Sequence, residues 1–255
     1  MIPKVIHLSW CCKHTLFTSN NPLAINGVQN MKRINPRYKL VISDDNDVDD
    51  YIQSCISNDD WLLIKDRHIV EKVDLWRLLK IYNEGGIYCD IDRLCNIPFD
   101  EIIKDDDVCI LPTHFDIDFS QDIMISASGQ EIHKKAIELN LGRRQDGCKD
   151  VLSLGPITYF HAITLTLWGR QMERFLNPKL WKRVLTKVNS YNGYRTFQER
   201  PVEKKKDYVS IIFKWTDEYE WINGNDEDKD ALYKESKTAH WTSAQNVFGN
   251  KLYGN

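Results

Sequence analysis

Residues 73–92, Val73-Asp74-Leu75-Trp76-Arg77-Leu78-Leu79-Lys80-Ile81-Tyr82-Asn83-Glu84-Gly85-Gly86-Ile87-Tyr88-Cys89-Asp90-Ile91-Asp92, leave this chain little freedom in how it folds. Ile69, Val73, Trp76 and Leu79 recur at helical spacing, so the segment opens as a helix with one apolar face. Gly85-Gly86 ends that helix, because glycine takes the left-handed C-terminal position without steric cost. Ile87-Tyr88-Cys89 then reads as a short buried strand that runs straight into Asp90-Ile91-Asp92. In extended chain, residues i and i+2 point to the same side, so the two carboxylates leave the strand together. Such a pair can hold a hard divalent cation, and the carboxyl ends of strands are where open α/β sheets bind ligands. Two aspartates two apart also occur on many surface loops, so the context carries the weight. Asp74 and Arg77, at i and i+3, share a helix face; as an isolated solvated pair they would contribute about 0.3–0.5 kcal/mol. Here the double glycine returns the chain beside their helix, which brings them to the carboxylates.

The rest of the chain alternates strand and helix signals. Lys4-Val5-Ile6-His7-Leu8-Ser9-Trp10 reads as a buried strand after Pro3. Asn21 and Pro22 are the cap and first residue of a helix reaching Ile34. Tyr38–Ile42 is the second strand. The acidic run Asp44, Asp45, Asp47, Asp49, Asp50 lacks the glycine and terminal glutamate of a calcium loop. It is read as a helix N-terminus, where carboxylates suit the dipole. Further strands are expected at Val108–Leu111, Asp122–Ala127 and Tyr208–Lys214, and helices at Glu131–Leu139 and Ile157–Phe175. Residues 176–206 are basic and aromatic and give no clear period.

The combination D-x-x-R, then G-G-x-Y-x-D-x-D, resembles the DXD-containing sugar-transferase region of glycosyltransferase family 32. That group includes fungal initiating mannosyltransferases, with the glucosylating clostridial toxins as more distant relatives. The opening I-P-K-x-I-H-x-x-W, the Gly155-Pro156 step and the His240 tail fit the same resemblance. In the tail Trp241 follows His240 directly and no tryptophan follows Ser243, which departs from the family. The resemblance implies a GT-A fold: a single α/β, Rossmann-like domain with a mixed, mostly parallel central sheet flanked by helices. Residues 1–92 would bind the nucleotide sugar, and residues 93–255 would form the acceptor side and C-terminal part.

It also implies roles. Asp74, Arg77, Asp90 and Asp92 would form the catalytic group, with Asp92, Asp90 and His240 around Mn²⁺ or Mg²⁺. Trp10 would stack on the nucleotide base, for which a partly open indole is expected; the alternative is a core tryptophan. His7, Ser43, Asp44, Gly85, Gly86, Tyr88, Gly155, Pro156 and Ser243 would line the substrate site, His7 being as readily a buried structural histidine. The partners implied are a UDP- or GDP-sugar donor and a glycan or protein acceptor.

Composition bounds the alternatives. A chain of 255 residues, 42% hydrophobic and 28% charged, is long enough for one α/β domain with a sizeable core. A net charge of −3 gives no electrostatic footprint for nucleic acid. Seven cysteines, an odd number, fit free thiols better than a disulfide framework. Cys11-Cys12-x-His14 is at most half a zinc site. No run of 18 apolar residues predicts a membrane helix. A first strand beginning near Pro3 leaves no room for an anchor, so a cytoplasmic enzyme is expected. Two other readings stay open: another metal-dependent phosphate enzyme such as a nucleotidyltransferase, which would normally bring a Gly-rich phosphate loop, and a catalytically silent carbohydrate-binding protein.

Overall fold

The computed structural model describes residues 1–17, 22–91, 93–95, 97–114, 118–172, 178–198 and 213–215. The chain opens with β1 (Val5–Ser9), crosses through α1 (Pro22–Ile34) and returns as β2 (Lys39–Ser43). Two helices, α2 (Asp45–Cys55) and α3 (Asn58–Ile64), precede the long α4 (Ile69–Glu84) and β3 (Gly86–Cys89). Next come β4 (Arg93–Cys95), α5 (Phe99–Ile102), β5 (Cys109–His114), β6 (Asp118–Phe119) and β7 (Ile123–Ser126). The remainder is mostly helical: α6 (Glu131–Gln145), α7 (Val151–Leu154), α8 (Pro156–Trp168) and α9 (Pro178–Ser190), then β8 (Tyr194–Gln198) and β9 (Phe213–Trp215).

The main sheet has the order β2-β1-β3-β7-β5-β6, with β8 also paired to β5; β4 and β9 form a separate pair. Strands β1, β2, β3, β5 and β8 point one way, and β6 and β7 the other. The mixed, mostly parallel sheet expected from the sequence is therefore present. Its side chains alternate between two cores, as the pleat requires. Ile87 and Cys89 join Ile123 and Ile125 on the face covered by α1 and α5. Tyr88 and Met124 join α4, α6, α8 and α9 on the other face.

Helix α4 is buried nearly all round, including Glu71, Lys72, Asp74 and Arg77. That is the burial of a helix held between a sheet and further helices. Its end is the predicted glycine joint: Gly85 and Gly86 have φ of 67° and 98°. At Gly86 a Cβ would lie 2.7 Å from Val5 O, so only glycine lets β3 start beside β1. His7 braces this joint by donating from Nε2 to Gly85 O at 3.1 Å. The acidic run starts α2 as expected, with Asp44 and Asp47 forming a reciprocal capping box.

Helix α8 is shorter than its apolar run suggests. It stops at Trp168, where Gly169 adopts a left-handed φ of 68°. The stretch Val151–Trp168 is apolar and long enough to cross a membrane by composition, but 56% of it is buried inside the fold. The illegible stretch contains α9 and β8; the late strand appears as Phe213–Trp215, and residues 208–212 lie outside the described residues.

Candidate functional site

Because β1, β2 and β3 are parallel, their carboxyl ends share one edge of the sheet. Trp10, Asp44 and Asp90 follow those three ends. Strand β7 runs antiparallel to β3, so its N-terminal side arrives at the same edge. There Asp90 N–H donates to Asp122 O at 2.9 Å.

The Arg77 guanidinium is the centre of the constellation. Its Nη2 pairs with Asp74 Oδ1 in a short contact. Its Nη1 donates to Gln121 O at 3.0 Å and reaches Asp90 Oδ1 at 3.5 Å. The Tyr88 hydroxyl donates to the same Asp90 oxygen, and the guanidinium lies over the Tyr88 ring at 4.8 Å. Asp74 and Arg77 are only 4% and 7% exposed, so the solvated-pair reading is overturned. Arginine suits this position because its planar fork serves several acceptors at once.

Burial sets the electrostatics. It raises the Asp74 carboxyl to about 6, with Arg77 opposing the rise and Asp90 adding to it. Burial works against the Arg77 charge, but Tyr88, Asp74 and Asp90 together hold its proton above the ordinary value. Burial also pushes the Tyr88 phenol well up, so it is a neutral donor to Asp90. Two buried donors in this cluster, Arg77 Nε and Gln121 Nε2, have no partner among the described residues. A buried donor without a partner costs about 1–3 kcal/mol, which a ligand oxygen would recover.

Two close approaches fix the surroundings. Inside α1, a Cβ on Gly27 would lie 2.0 Å from Ile91 O, so the helix rests directly on the backbone between the two motif aspartates. At the α7–α8 turn, a Cβ on Gly155 would lie 2.6 Å from Asp74 Oδ2. Gly155 therefore stands directly against Asp74, with Pro156 opening α8 behind it.

The other expected residues are placed as follows. Trp10 is 6% exposed and packed in the core of the α1 face; its backbone N–H donates to Ser43 O at 2.9 Å, while its indole Nε1 is buried with no partner among the described residues. The indole is thus buried rather than partly open, and it shares the core of the α1 face with Leu16 from the segment after β1. Ser43 is buried at the end of β2, and Asp44 caps α2 with Lys13 Nζ 3.4 Å from its Oδ2. His7 lies under the glycine joint, and burial lowers its basicity. Asp92, His240 and Ser243 lie outside the described residues. Among the described residues no three His, Cys, Asp or Glu side chains group to hold a metal ion.

Sequence reasoning passed over Gln121, Asp122 and Arg93. Asp122 pairs with Arg93 and accepts from Ser120 Oγ, both in short contacts. The only signals were a cation directly after the motif and a carboxylate at the head of an apolar strand.

Residues 23–109 match the family model of a glycosyltransferase sugar-binding region containing a DXD motif. Among solved structures, the PaToxG glycosyltransferase superposes with a TM-score of 0.55 at 17% identity, over 93% of this chain and 86% of that one. At that identity the likeness is one of fold. No curated protein matches the chain in sequence.

Proposed function

We propose that this chain is a metal-dependent glycosyltransferase of the family 32 type. It would move a hexose from a nucleotide-diphosphate sugar, a UDP- or GDP-sugar, to a glycan or protein acceptor with retention of configuration. Residues 1–92 supply most of the nucleotide-sugar-binding part, and residues 93–255 the acceptor-side and C-terminal part, with Gln121 reaching back to the donor. The observation that carries this reading is the buried Asp74–Arg77 pair linked to the half-exposed Asp90 at the sheet's carboxyl edge, with unpartnered N–H donors beside it.

The residues present suit a hard cation. Asp90 Oδ1 is taken by Tyr88 and Arg77, while Oδ2 has no partner among the described residues. Oxygen ligands of this kind favour Mg²⁺ or Mn²⁺, and the sequence places Asp92, and His240 further on, as co-ligands. When bound, the cation supplies Lewis-acid neutralisation of the leaving diphosphate. Arg77 and Gln121 offer N–H donors to donor oxygens, and Asp74 offers an acceptor to a sugar hydroxyl, which together orient the anomeric carbon. Tyr88 holds Asp90 in place. Base stacking on Trp10 belongs to this reading only if nucleotide binding uncovers the indole, which quenching of its fluorescence tests.

The deciding experiment incubates the protein with Mn²⁺ and a panel of labelled nucleotide sugars that includes UDP-glucose and GDP-mannose, and follows sugar release and transfer. Release is expected with at least one donor, lost in excess EDTA and in a folded Asp92→Ala variant. Undiminished turnover by Asp92→Ala in EDTA would refute the metal-dependent mechanism.

A further inference from the structure

A chain of buried hydrogen bonds runs from the first turn of α4 to the α7–α8 turn and closes back on Asp74. Glu71, 1% exposed, accepts Arg144 Nη1 at 3.1 Å on its carboxylate and Arg144 Nη2 at 3.1 Å on its backbone oxygen. Arg67 grips the other side of the same carboxylate at 3.0 Å. Arg144 Nε donates to Asn140 Oδ1 at 2.8 Å, and Asn140 Nδ2 donates to Leu154 O at 2.8 Å. Leu154 is followed by Gly155, whose Cα side stands against Asp74 Oδ2. Asn140, Arg144 and Glu71 are all buried, and Glu71 and Asp74 lie one helical turn apart.

The turn draws on side chains around it: Arg143 Nη1 and Thr158 Oγ1 donate to Ser153 O, and Asn140 Nδ2 to Leu154 O. Helix α7 has four residues, too few to hold itself together by its own ladder. Asp150 caps its start, accepting from Ser153 N at 2.7 Å. At its end, Asn140 is the side chain that fixes the carbonyl immediately before Gly155. Asp74 Oδ1 accepts from Arg77 and Oδ2 stands beside Gly155, so the seat of the turn limits how far the carboxylate can rotate.

We propose that Asn140 is a positioning residue for Asp74: through Leu154 O it seats the Gly155 turn against the Asp74 carboxylate and so sets how that group meets the donor sugar. The inference rests on the sugar-transfer reading for its functional half and on geometry alone for its structural half.

The test uses Asn140→Asp in the full chain. This variant keeps an acceptor for Arg144 Nε and gains an ion pair with it, but loses the donor to Leu154 O. Amide exchange should quicken in peptides 151–158 and also in 72–78, with a thermal midpoint within about 5 °C of wild type. The donor KM, measured with whichever of UDP-glucose or GDP-mannose turns over, should rise at least about tenfold, with kcat within about threefold. Asn140→Ser, which shortens the side chain without adding charge, should shift KM and exchange in the same direction. Faster exchange confined to 151–158, or a kcat loss that follows the midpoint with donor KM unchanged, would make the relay merely structural and overturn the proposal. Failure of both variants to fold would do the same. If wild type turns over no nucleotide sugar, the sugar-transfer reading fails, and the exchange arm still decides whether Asn140 positions Asp74.

Discussion

At the scale of single residues, Arg77 carries the most. It divides one guanidinium among Asp74, Asp90 and a backbone carbonyl, a pattern that lysine's point charge cannot copy. Arg77→Lys is expected to lower donor kcat/KM by at least about tenfold, which steady-state kinetics will read. Arg77→Ala should also cost about 3–5 kcal/mol of stability in denaturant titrations, because it leaves Asp74 buried without its cation. A second expectation concerns pH. Burial lifts the Asp74 carboxyl from 3.8 to about 6. The folded state therefore holds this proton more tightly than the unfolded chain. The contribution of Asp74 to stability is greatest at acid pH and falls as pH rises from about 4 to about 6. Its ability to accept from a sugar hydroxyl moves the other way. The donor kcat/KM should climb through pH 6, and a flat profile between pH 5 and pH 7 would show that the Asp74 charge is not used. The Asp74–Arg77 spacing and the D-x-D were legible from the sequence, as was the sharing of a helix face. That both groups are buried was not, since an i, i+3 ion pair looks the same on a surface helix.

At the scale of elements, legibility followed how local the signal was. The end of α4, the glycine joint and the acidic start of α2 rest on residues adjacent in sequence, and they stand where they were expected. Helix α6 was cut short at Leu139 in the sequence reading, because Asn140 and Arg144 are polar. They point inward only because Glu71 and Leu154 O receive them. Helix α9 was hidden for the opposite reason. Its inward stripe of Trp181, Val184 and Val188 is diluted by Lys179, Lys182, Arg183 and Lys187. Gln121 and Asp122 enter the site through the reversed direction of β7, which no spacing in the sequence encodes. The glycine in α1 supplies an element-scale prediction. On an open helix, Gly→Ala stabilises by about 1 kcal/mol. At Gly27 the sign should invert, because the added methyl meets the Ile91 carbonyl; overpacking of this kind costs about 1–3 kcal/mol. A higher thermal midpoint for Gly27→Ala would refute the close approach.

At the scale of the molecule, the sheet separates two cores and gathers the functional groups at one edge. Trp10 shows how the two demands meet, since it ends a strand at that edge and yet belongs to the core of the α1 face. Trp10→Ala should cost about 3–5 kcal/mol of folding stability. The paired measurement is the thermal midpoint without ligand and nucleotide affinity by calorimetry. A small change in midpoint with a large loss of affinity would return Trp10 to the role of base platform. The fold class was legible because the motifs that carry the family resemblance stand in the order that a GT-A sheet requires, and the strand and helix signals between them agree with it. The part after residue 92 was less so, since its strands pair across long separations. The seat of Ile91 on Gly27 also has a mechanical meaning. With no side chain as a cushion between them, helix and motif loop are in direct backbone contact. A shift of the loop on ligand binding would press first on α1. Binding at the sheet edge should therefore be felt in that helix, and a probe placed on it would report occupancy without touching the site.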